Sequence, residues 1–440
     1  MTTATSRVVL HDYSGHPGQA QLSRALARRG YEVTHQHCPA YATGKGSLER
    51  EPGDPVTLRF ESCDVRTAFN RYSYSTRVRH EIEYGRKVRH VIADSHPDVV
   101  ILSNVPLIAH SIIARHLSRK RIPMVFWHQD IYSEAIAATA RKRLPVVGRM
   151  IGALAERVER RIARRSAGIV AISPTFLEKL SAWGVADKSI VVPNWAPIDE
   201  LPLRPRQNDW SDRMGLSGHP VVLYSGTLGL KHDPSVLALM AAALEVERPD
   251  ARVVVISEGK GREWLEEWKQ EHGAENLVLF DYQPYEELPD VLASADLLIA
   301  ILEPDASKFS VPSKVLTYLC AGRSILGVIP PDNSVAEIIV NNQAGHVVDP
   351  ARRDEVAERV VALLNDEKLR HLHGESGRMY AEATFSADGA AEQFIGVFGS
   401  WVSQPETDVV TPQQALGDTA LGLSMAVRKR WESARAQAAS

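Results

Sequence analysis

Two doubly wound α/β domains, joined in series and facing each other across a cleft, are what this 440-residue sequence predicts. Short apolar runs alternate with helix-like segments through most of the chain, the pattern of parallel sheets covered by helices on both faces. The alternation breaks once, at the polar, proline-bearing stretch Pro202-Leu-Arg-Pro-Arg-Gln-Asn-Asp-Trp-Ser-Asp212, which reads as a linker, and then restarts. A hydrophobic content of 44% at this length suffices for two ordinary cores.

The first domain, residues 1–203, opens as a βαβ unit: strand Arg7–His11, a helix through Gln21–Arg29, strand Tyr31–Thr34. Further strands are expected at Asp98–Leu102, Pro123–Phe126, Ala167–Ala171 and Ile190–Val192. The helix Arg149–Arg165 sets Ile151, Leu154, Val158 and Ile162 on one face and arginines opposite. With Arg141-Lys-Arg143 ahead of it, the segment Arg141–Arg165 is the most basic in the chain, either a solvated helix face or a contact with an anionic membrane. The second domain, residues 204–385, has strands at Pro220–Ser225, Arg252–Ser257, Leu277–Phe280, Asp296–Leu302 and Ser324–Ile329. Residues 403–440 read as a loosely attached tail.

Composition removes several function classes. A net charge of −3 argues against a general nucleic-acid binder, which needs a cationic excess to displace counterions. Three cysteines, Cys38, Cys63 and Cys320, are widely spaced, which suits a reducing cytoplasm better than a disulfide framework or zinc knuckle. No signal-like N-terminus and no run long enough to span a bilayer is evident, so a cytoplasmic location, at most at the inner face of the membrane, is expected.

Ligands of such folds bind beyond the carboxyl ends of the strands, so the informative residues follow strands. The richest segment is Val311-Pro-Ser-Lys-Val-Leu-Thr-Tyr-Leu-Cys-Ala-Gly-Arg323, a turn and short helix between two strands. Pro312 suits a first helical turn, Ser313 and Lys314 offer backbone donors and a cation, and Gly322 suits the C-cap; together they predict an anion cradle. After the second domain's first strand, Gly226-Thr-Leu-Gly-Leu-Lys-His232 offers close backbone approach at its two glycines, Gly226 and Gly229, with Thr227 between them a further donor-binding candidate, and a point charge in Lys231, which is otherwise a surface lysine beside a turn. Glu258-Gly259 ends another strand similarly, but neither this stretch nor Ala42-Thr-Gly-Lys-Gly-Ser47 satisfies a Walker loop.

In the first domain Gly15 and Gly18 follow the first strand, in a phosphate- or sugar-contacting loop or simply a tight turn. His128 and Asp130 leave a later strand two residues apart. His128 can exchange a proton near neutral pH, although a histidine there is equally a structural residue. His35-Gln-His-Cys38 alternates metal-ligand types, but only two of its side chains share a strand face, so a structural role is expected and no metal site is assigned.

These residues resemble a glycosyltransferase of family 4 with the GT-B fold, two Rossmann-like domains, especially the surface-polysaccharide subgroup similar to fucosamine transferases. The resemblance rests on Val311-Pro-Ser-Lys314 with Ala321-Gly-Arg323, Val192-Pro-Asn-Trp195, Tyr224-Ser-Gly-Thr-Leu-Gly229 and Ala295-Asp-Leu297. It implies that the second domain binds a nucleotide sugar, a UDP-sugar first, that the first binds a lipid-linked or glycan acceptor, and that a helix over residues 386–402 crosses back to the first domain. By the same resemblance Lys231, Ser313, Lys314 and Val315 hold the diphosphate. Glu258, Gly259, Tyr282 and Pro284 flank base and ribose, and His128 faces the transferred sugar. Family members retain anomeric configuration without a metal or other cofactor, fixed donors and a cation replacing magnesium at the leaving diphosphate.

One departure concerns two glutamates that many members carry with seven residues between them: here Phe309 and Thr317 occupy those positions. Thr317 keeps a hydroxyl for the ribose, and Glu303, Asp305 and Ser310 lie nearby. Beside a retaining transferase, a nucleotide-sugar 2-epimerase of the same architecture and a catalytically silent sugar-nucleotide-binding subunit are therefore the readings to separate.

Overall fold

The computed structural model describes residues 5–40, 47–67, 73–143, 145–229, 232–304 and 312–402. Lys231, Asp305, Phe309, Ser310, most of the Ala42–Ser47 segment and the tail from Ser403 lie outside them. The chain forms two compact units, one ending at Pro197 and regaining the chain at Phe385, the other beginning at Ile198.

In the first unit the elements are β1 (Arg7–Asp12), α1 (Pro17–Arg28), β2 (Glu32–His37), β3 (Leu58–Ser62), α2 (Tyr74–Asp94), β4 (Val99–Ser103), α3 (Leu107–Lys120), β5 (Met124–His128), α4 (Tyr132–Arg143), α5 (Pro145–Arg165), β6 (Gly168–Ala171), α6 (Phe176–Ala182) and β7 (Ser189–Val191). Every strand pair is parallel, in the order β3-β2-β1-β4-β5-β6-β7. The order reverses between β1 and β4, which opens the crevice where doubly wound sheets take ligands. Val99-Val-Ile-Leu-Ser103 and Met124-Val-Phe-Trp-His128 are buried along their whole length, as central strands covered on both faces must be. β3 was not expected from the sequence. Leu-Arg-Phe-Glu-Ser is an edge strand with mostly exposed residues, so it carries no continuous apolar run.

The second unit contains α7 (Asp209–Arg213), β8 (Val221–Ser225), α8 (Ser235–Glu247), β9 (Arg252–Ile256), α9 (Lys260–His272), β10 (Leu277–Phe280), α10 (Leu288–Ala293), β11 (Leu297–Ile301), α11 (Lys314–Ala321), β12 (Ser324–Val328), α12 (Ser334–Asn341), β13 (Gly345–Val348), α13 (Arg353–Asn365) and α14 (Glu367–Thr384). Its sheet is also wholly parallel, ordered β10-β9-β8-β11-β12-β13, with the reversal between β8 and β11. The half-exposed edge strand β13 is the second strand that sequence pattern did not predict.

The last described helix, α15 (Ala387–Phe398), belongs to the first unit and packs on α1. Its Phe394 meets Trp127 with ring centroids 4.8 Å apart, and Phe398 meets Tyr31 at 5.7 Å. Arg29 holds its N-terminal turn through the Asp388 carboxylate, with a further bond to the Asp388 carbonyl at 3.0 Å.

The stretch Pro202–Asp212 is no free linker. Asn208 and Ser211 form a reciprocal capping box at the start of α7, and the Trp210 indole, 1% exposed, donates to Gln283 Oε1 at 3.0 Å. The Arg323 guanidinium donates to the Arg204 carbonyl at 3.1 Å, and Arg378 to the Leu201 carbonyl at 2.8 Å. Polar side chains there satisfy backbone groups of their own unit, which composition alone cannot distinguish from solvation.

α5 also differs from its predicted face. Ile151 and Leu154 are exposed, whereas Gly148, Gly152, Ala155, Glu159 and Ile162 face inward. A Cβ on Gly152 would stand 2.7 Å from Ala137 Cβ, so α4 and α5 approach through small residues, and contact distance decides the buried face. No helix among the described residues is long and apolar enough to cross a membrane.

Candidate functional site

In the second unit four of the sequence-predicted residues, Gly226, Thr227, Tyr282 and Lys314, come together beyond β8, beside the β8/β11 reversal. Gly226 follows β8 with φ of 130°, a conformation open to glycine. The loop behind it is pinned on three sides: the Tyr224 hydroxyl donates to the Thr227 carbonyl (2.8 Å), Leu228 N–H donates to Ser257 Oγ (3.1 Å), and Thr227 Oγ1 pairs with the Tyr282 hydroxyl (2.8 Å). Residues following three different strands, β8, β9 and β10, are thereby fixed against one another.

Lys314, the first residue of α11, runs into this crevice. Its Nζ stands 3.6 Å from the centroid of the Tyr224 ring and 3.4 Å from where a Gly226 Cβ would lie. Although the residue as a whole is half-buried, the amine nitrogen is sealed from solvent and has no hydrogen-bond partner among the described residues. Burial holds its pKa well below the ordinary lysine value. The aromatic face supplies some cation–π stabilisation but no counter-charge. Tyr318, one turn along α11, accepts from Ser225 N–H (3.1 Å) and donates to its carbonyl (3.2 Å), tying helix to strand end.

The helix start differs in detail from the expectation. Ser313 is the N-cap and Pro312 precedes it. Val315 N–H donates to the Pro312 carbonyl (3.1 Å) and Leu316 N–H to that of Ser313 (3.0 Å). Val315, fully buried with its amide already bonded, is therefore withdrawn as a diphosphate donor, which leaves the amides of Ser313 and Lys314, neither of which has a hydrogen bond among the described residues. Thr317 is half-buried on the next turn, and Gly322 ends α11 in the left-handed conformation expected of it. Glu258 is exposed beyond β9 beside Gly259, the N-cap of α9; Tyr282 and Pro284 are exposed beyond β10, and Glu303 is half-buried beyond β11.

Asp296 lies at the opposite, amino end of β11, where it accepts from Arg206 Nε and Val221 N–H, both at 2.8 Å. It anchors the sheet, away from the carboxyl-end crevice.

The first unit has its own strand-end cluster. Asp12, the last residue of β1, is buried and accepts from Ser14 N–H (3.2 Å), Ser14 Oγ (2.9 Å), His16 N–H (2.6 Å) and Asn104 Nδ2 (2.9 Å). Burial raises its carboxyl above the ordinary range, opposed by the hydrogen bonds from Asn104, His16 and Ser14. Gly15 and Asn104 both have positive φ, at 71° and 55°, and Gly18 lies in the first turn of α1, donating to His16 Nδ1 at 3.3 Å. Sequence reasoning missed Asp12, His16 and Asn104. The available signal was their position at or just beyond the carboxyl ends of β1 and β4, the two strands at the reversal.

His128 corrects its sequence-derived role. It is 0% exposed, enclosed by Phe126, Phe176 and Trp183, and its Nε2 donates to Glu159 Oε1 at 3.3 Å. The imidazole is thus packed in the core against Glu159, which accepts from the Tyr132 and Ser133 amides at the start of α4. Asp130 remains half-buried in the connecting loop, with its carbonyl accepting from Tyr132 N–H at 3.0 Å. His35 is likewise a core residue, bonded to Ser23 Oγ at 2.8 Å and pushed by burial to a pKa of about 3.

Gly226→Ala tests the geometry of the crevice. A methyl there forces a strained φ and crowds the Lys314 amine, so affinity for a nucleoside diphosphate should fall by about tenfold or more, with an unchanged denaturation midpoint for the first unit. Calorimetric titration with UDP measures it, and equal affinity would separate Gly226 from the site.

Two family profiles match the chain: one described as a glycosyl transferase 4-like domain, over residues 16–195, and one described as glycosyl transferases group 1, over residues 207–379. A protein of Escherichia coli strain K12 named for glycosyl transfer in colanic acid biosynthesis, WcaI, is 26% identical over 259 residues, which are 56% of this chain and 61% of that one. Alpha-D-kanosaminyltransferase of Streptomyces kanamyceticus is 26% identical over 194 residues, 44% of this chain and 49% of that one. The chain thus spans about half to three fifths of the length of these curated relatives. Among solved structures, Anabaena HepE in complex with UDP-glucose shares the fold with a TM-score of 0.66 at 15% identity, over 90% of this chain and 99% of that one. With both halves of the family's architecture matched in order, this chain belongs to the family 4 glycosyltransferases of GT-B fold.

Proposed function

We propose that the protein is a retaining, metal-independent glycosyltransferase, working in the cytoplasm, that moves a sugar from a nucleoside-diphosphate sugar to a lipid-linked or glycan acceptor in polysaccharide or glycoconjugate synthesis. The observation that carries this reading is the Lys314 amine, buried without a partner at the β8/β11 reversal. An uncompensated buried amine is costly, and an entering diphosphate supplies the charge it lacks. In transfer, the bond between the anomeric carbon and the diphosphate oxygen breaks, and its electron pair leaves on that oxygen. Lys314 and the amides of Ser313 and Lys314 stabilise the developing charge. The acceptor oxygen bonds to the anomeric carbon on the same face and passes its proton to the departing diphosphate oxygen.

Glu258, Gly259, Tyr282 and Pro284 are the groups available to base and ribose, with Thr317 offering a hydroxyl one turn beyond the cradle. A UDP-sugar is the first donor to test, because HepE, of the same fold, was crystallised with UDP-glucose. A thermal-shift panel of nucleoside diphosphates, followed by incubation with the matching sugars, is the experiment. One diphosphate should raise the midpoint, and its sugar should yield slow diphosphate release. A changed sugar on an intact nucleotide would instead indicate epimerisation, and binding with no turnover across acceptors a silent binding subunit.

A further inference from the structure

Five of the twelve exposed large apolar side chains among the described residues fall within nine consecutive positions of α5: Val146, Val147, Met150, Ile151 and Leu154. Met150 is 71% and Leu154 63% exposed, so this is more than the edge of a packed face. The same outward stripe continues at helical spacing into arginine: Met150, Leu154, Arg157, Arg161 and Arg165 follow one another by three or four residues, and the three arginines are exposed. The outer surface of α5 is therefore divided along its length, apolar in the N-terminal half and cationic in the C-terminal half.

Neither acid of α5 neutralises that surface. Glu159 is buried against His128, and Glu156 accepts from the Trp183 indole at 3.2 Å and pairs with Lys179 at 3.1 Å. Arg157, Arg161 and Arg165 form no ion pair among the described residues. Gly148 and Gly152 let the inner face of the helix lie close against α4, so the stripe is the face turned away from that contact.

We propose that α5 is a membrane-surface anchor, with Val146, Val147, Met150 and Leu154 seated among acyl chains and Arg157, Arg161 and Arg165 at anionic phospholipid headgroups. A protein partner is the poorer fit: the apolar half is wholly aliphatic, without the aromatic anchors that dominate protein interfaces, and is one helix wide. A ridge of aliphatic side chains beside unpaired arginines matches the depth profile of an anionic bilayer surface.

Co-sedimentation with phosphatidylcholine vesicles, with and without phosphatidylglycerol, tests the anchor in the absence of nucleotide, so the outcome is independent of any transfer chemistry. The full chain should bind the anionic vesicles at low salt and be released at high salt. Met150→Asp with Leu154→Asp should lower partitioning by ~10-fold or more. Arg157→Gln, Arg161→Gln and Arg165→Gln together should lower it by roughly a hundredfold and flatten the salt dependence. All these positions are exposed, and an unchanged denaturation midpoint confirms intact variants. Equal partitioning of wild type and either variant overturns the anchor. So does a wild type that ignores vesicles but forms a dimer that the Asp variant dissociates, which would assign the ridge to a second copy of the chain.

Discussion

Lys314→Ala is expected to lower the turnover of sugar transfer by ~10²-fold or more while leaving the protein folded, since it removes the cation that meets charge developing on the leaving diphosphate. The near-isosteric Lys314→Met sharpens the expectation by separating function from stability. In the free protein the amine is desolvated with no counter-charge, so an apolar replacement should stabilise the fold, by about 1 kcal/mol or more, while abolishing the stabilisation that a nucleoside diphosphate gives. Opposite movements of free and ligand-bound stability mark a group kept for its ligand. A Lys314→Met protein that is less stable when free and still stabilised by UDP would refute the cradle.

The direction of proton linkage gives a second readout of the same residue. Burial lowers the Lys314 pKa in the folded, free protein, and the unfolded chain carries an ordinary lysine. Between those two values the unfolded state binds more protons, so this residue makes stability rise with pH across that window. A bound diphosphate favours the charged amine and raises its pKa, so binding takes up a proton and affinity falls as pH rises through the same window. Calorimetry in buffers of different ionisation enthalpy should show this uptake in wild type and its loss in Lys314→Met.

Central strands were legible in the sequence because burial on both faces leaves unbroken apolar runs, as in β4, β5 and β11. The edges β3 and β13 were not, because charged and polar residues break up Leu58-Arg-Phe-Glu-Ser62 and Gly345-His-Val-Val348, whereas the equally half-exposed edges β7 and β10 keep the apolar runs Ile190-Val191 and Leu277-Val-Leu-Phe280. The bounds of α11 were legible for a related reason: Ser313, Lys314 and Gly322 are local signals, fixed by helix start and stop chemistry. What remained hidden depends on which face a side chain takes. His128 stands at a strand end yet points among Phe126, Phe176 and Trp183, and Ile151 and Leu154 have core-like spacing yet face outward because Gly148 and Gly152 permit the closer approach to α4. Neither choice is encoded at the position itself; each is decided by the volume of a neighbour distant in sequence.

Glu159→Ala should be the most damaging single change to the first unit. One carboxylate with no solvent exposure accepts from Tyr132 N–H at 2.9 Å, Ser133 N–H at 2.9 Å and His128 Nε2 at 3.3 Å, so it caps α4 from a helix that follows it in sequence. Truncation leaves two backbone donors and a ring nitrogen unpaired, in a site where His128 Nδ1 already has no partner among the described residues. Orphaned buried donors and the loss of a buried charge-assisted network together predict a cost of about 3–5 kcal/mol, read as a lower urea midpoint for the first unit. Glu159→Gln, which keeps the volume and one acceptor, should lose distinctly less. His128→Phe should cost less still, because Glu159 keeps both amides and the aromatic box accepts the ring. That ranking separates a positioning role from a catalytic one: if His128 touched the reacting sugar, His128→Phe would abolish transfer at full stability, whereas a residue acting through Glu159 loses activity only in proportion to the stability lost.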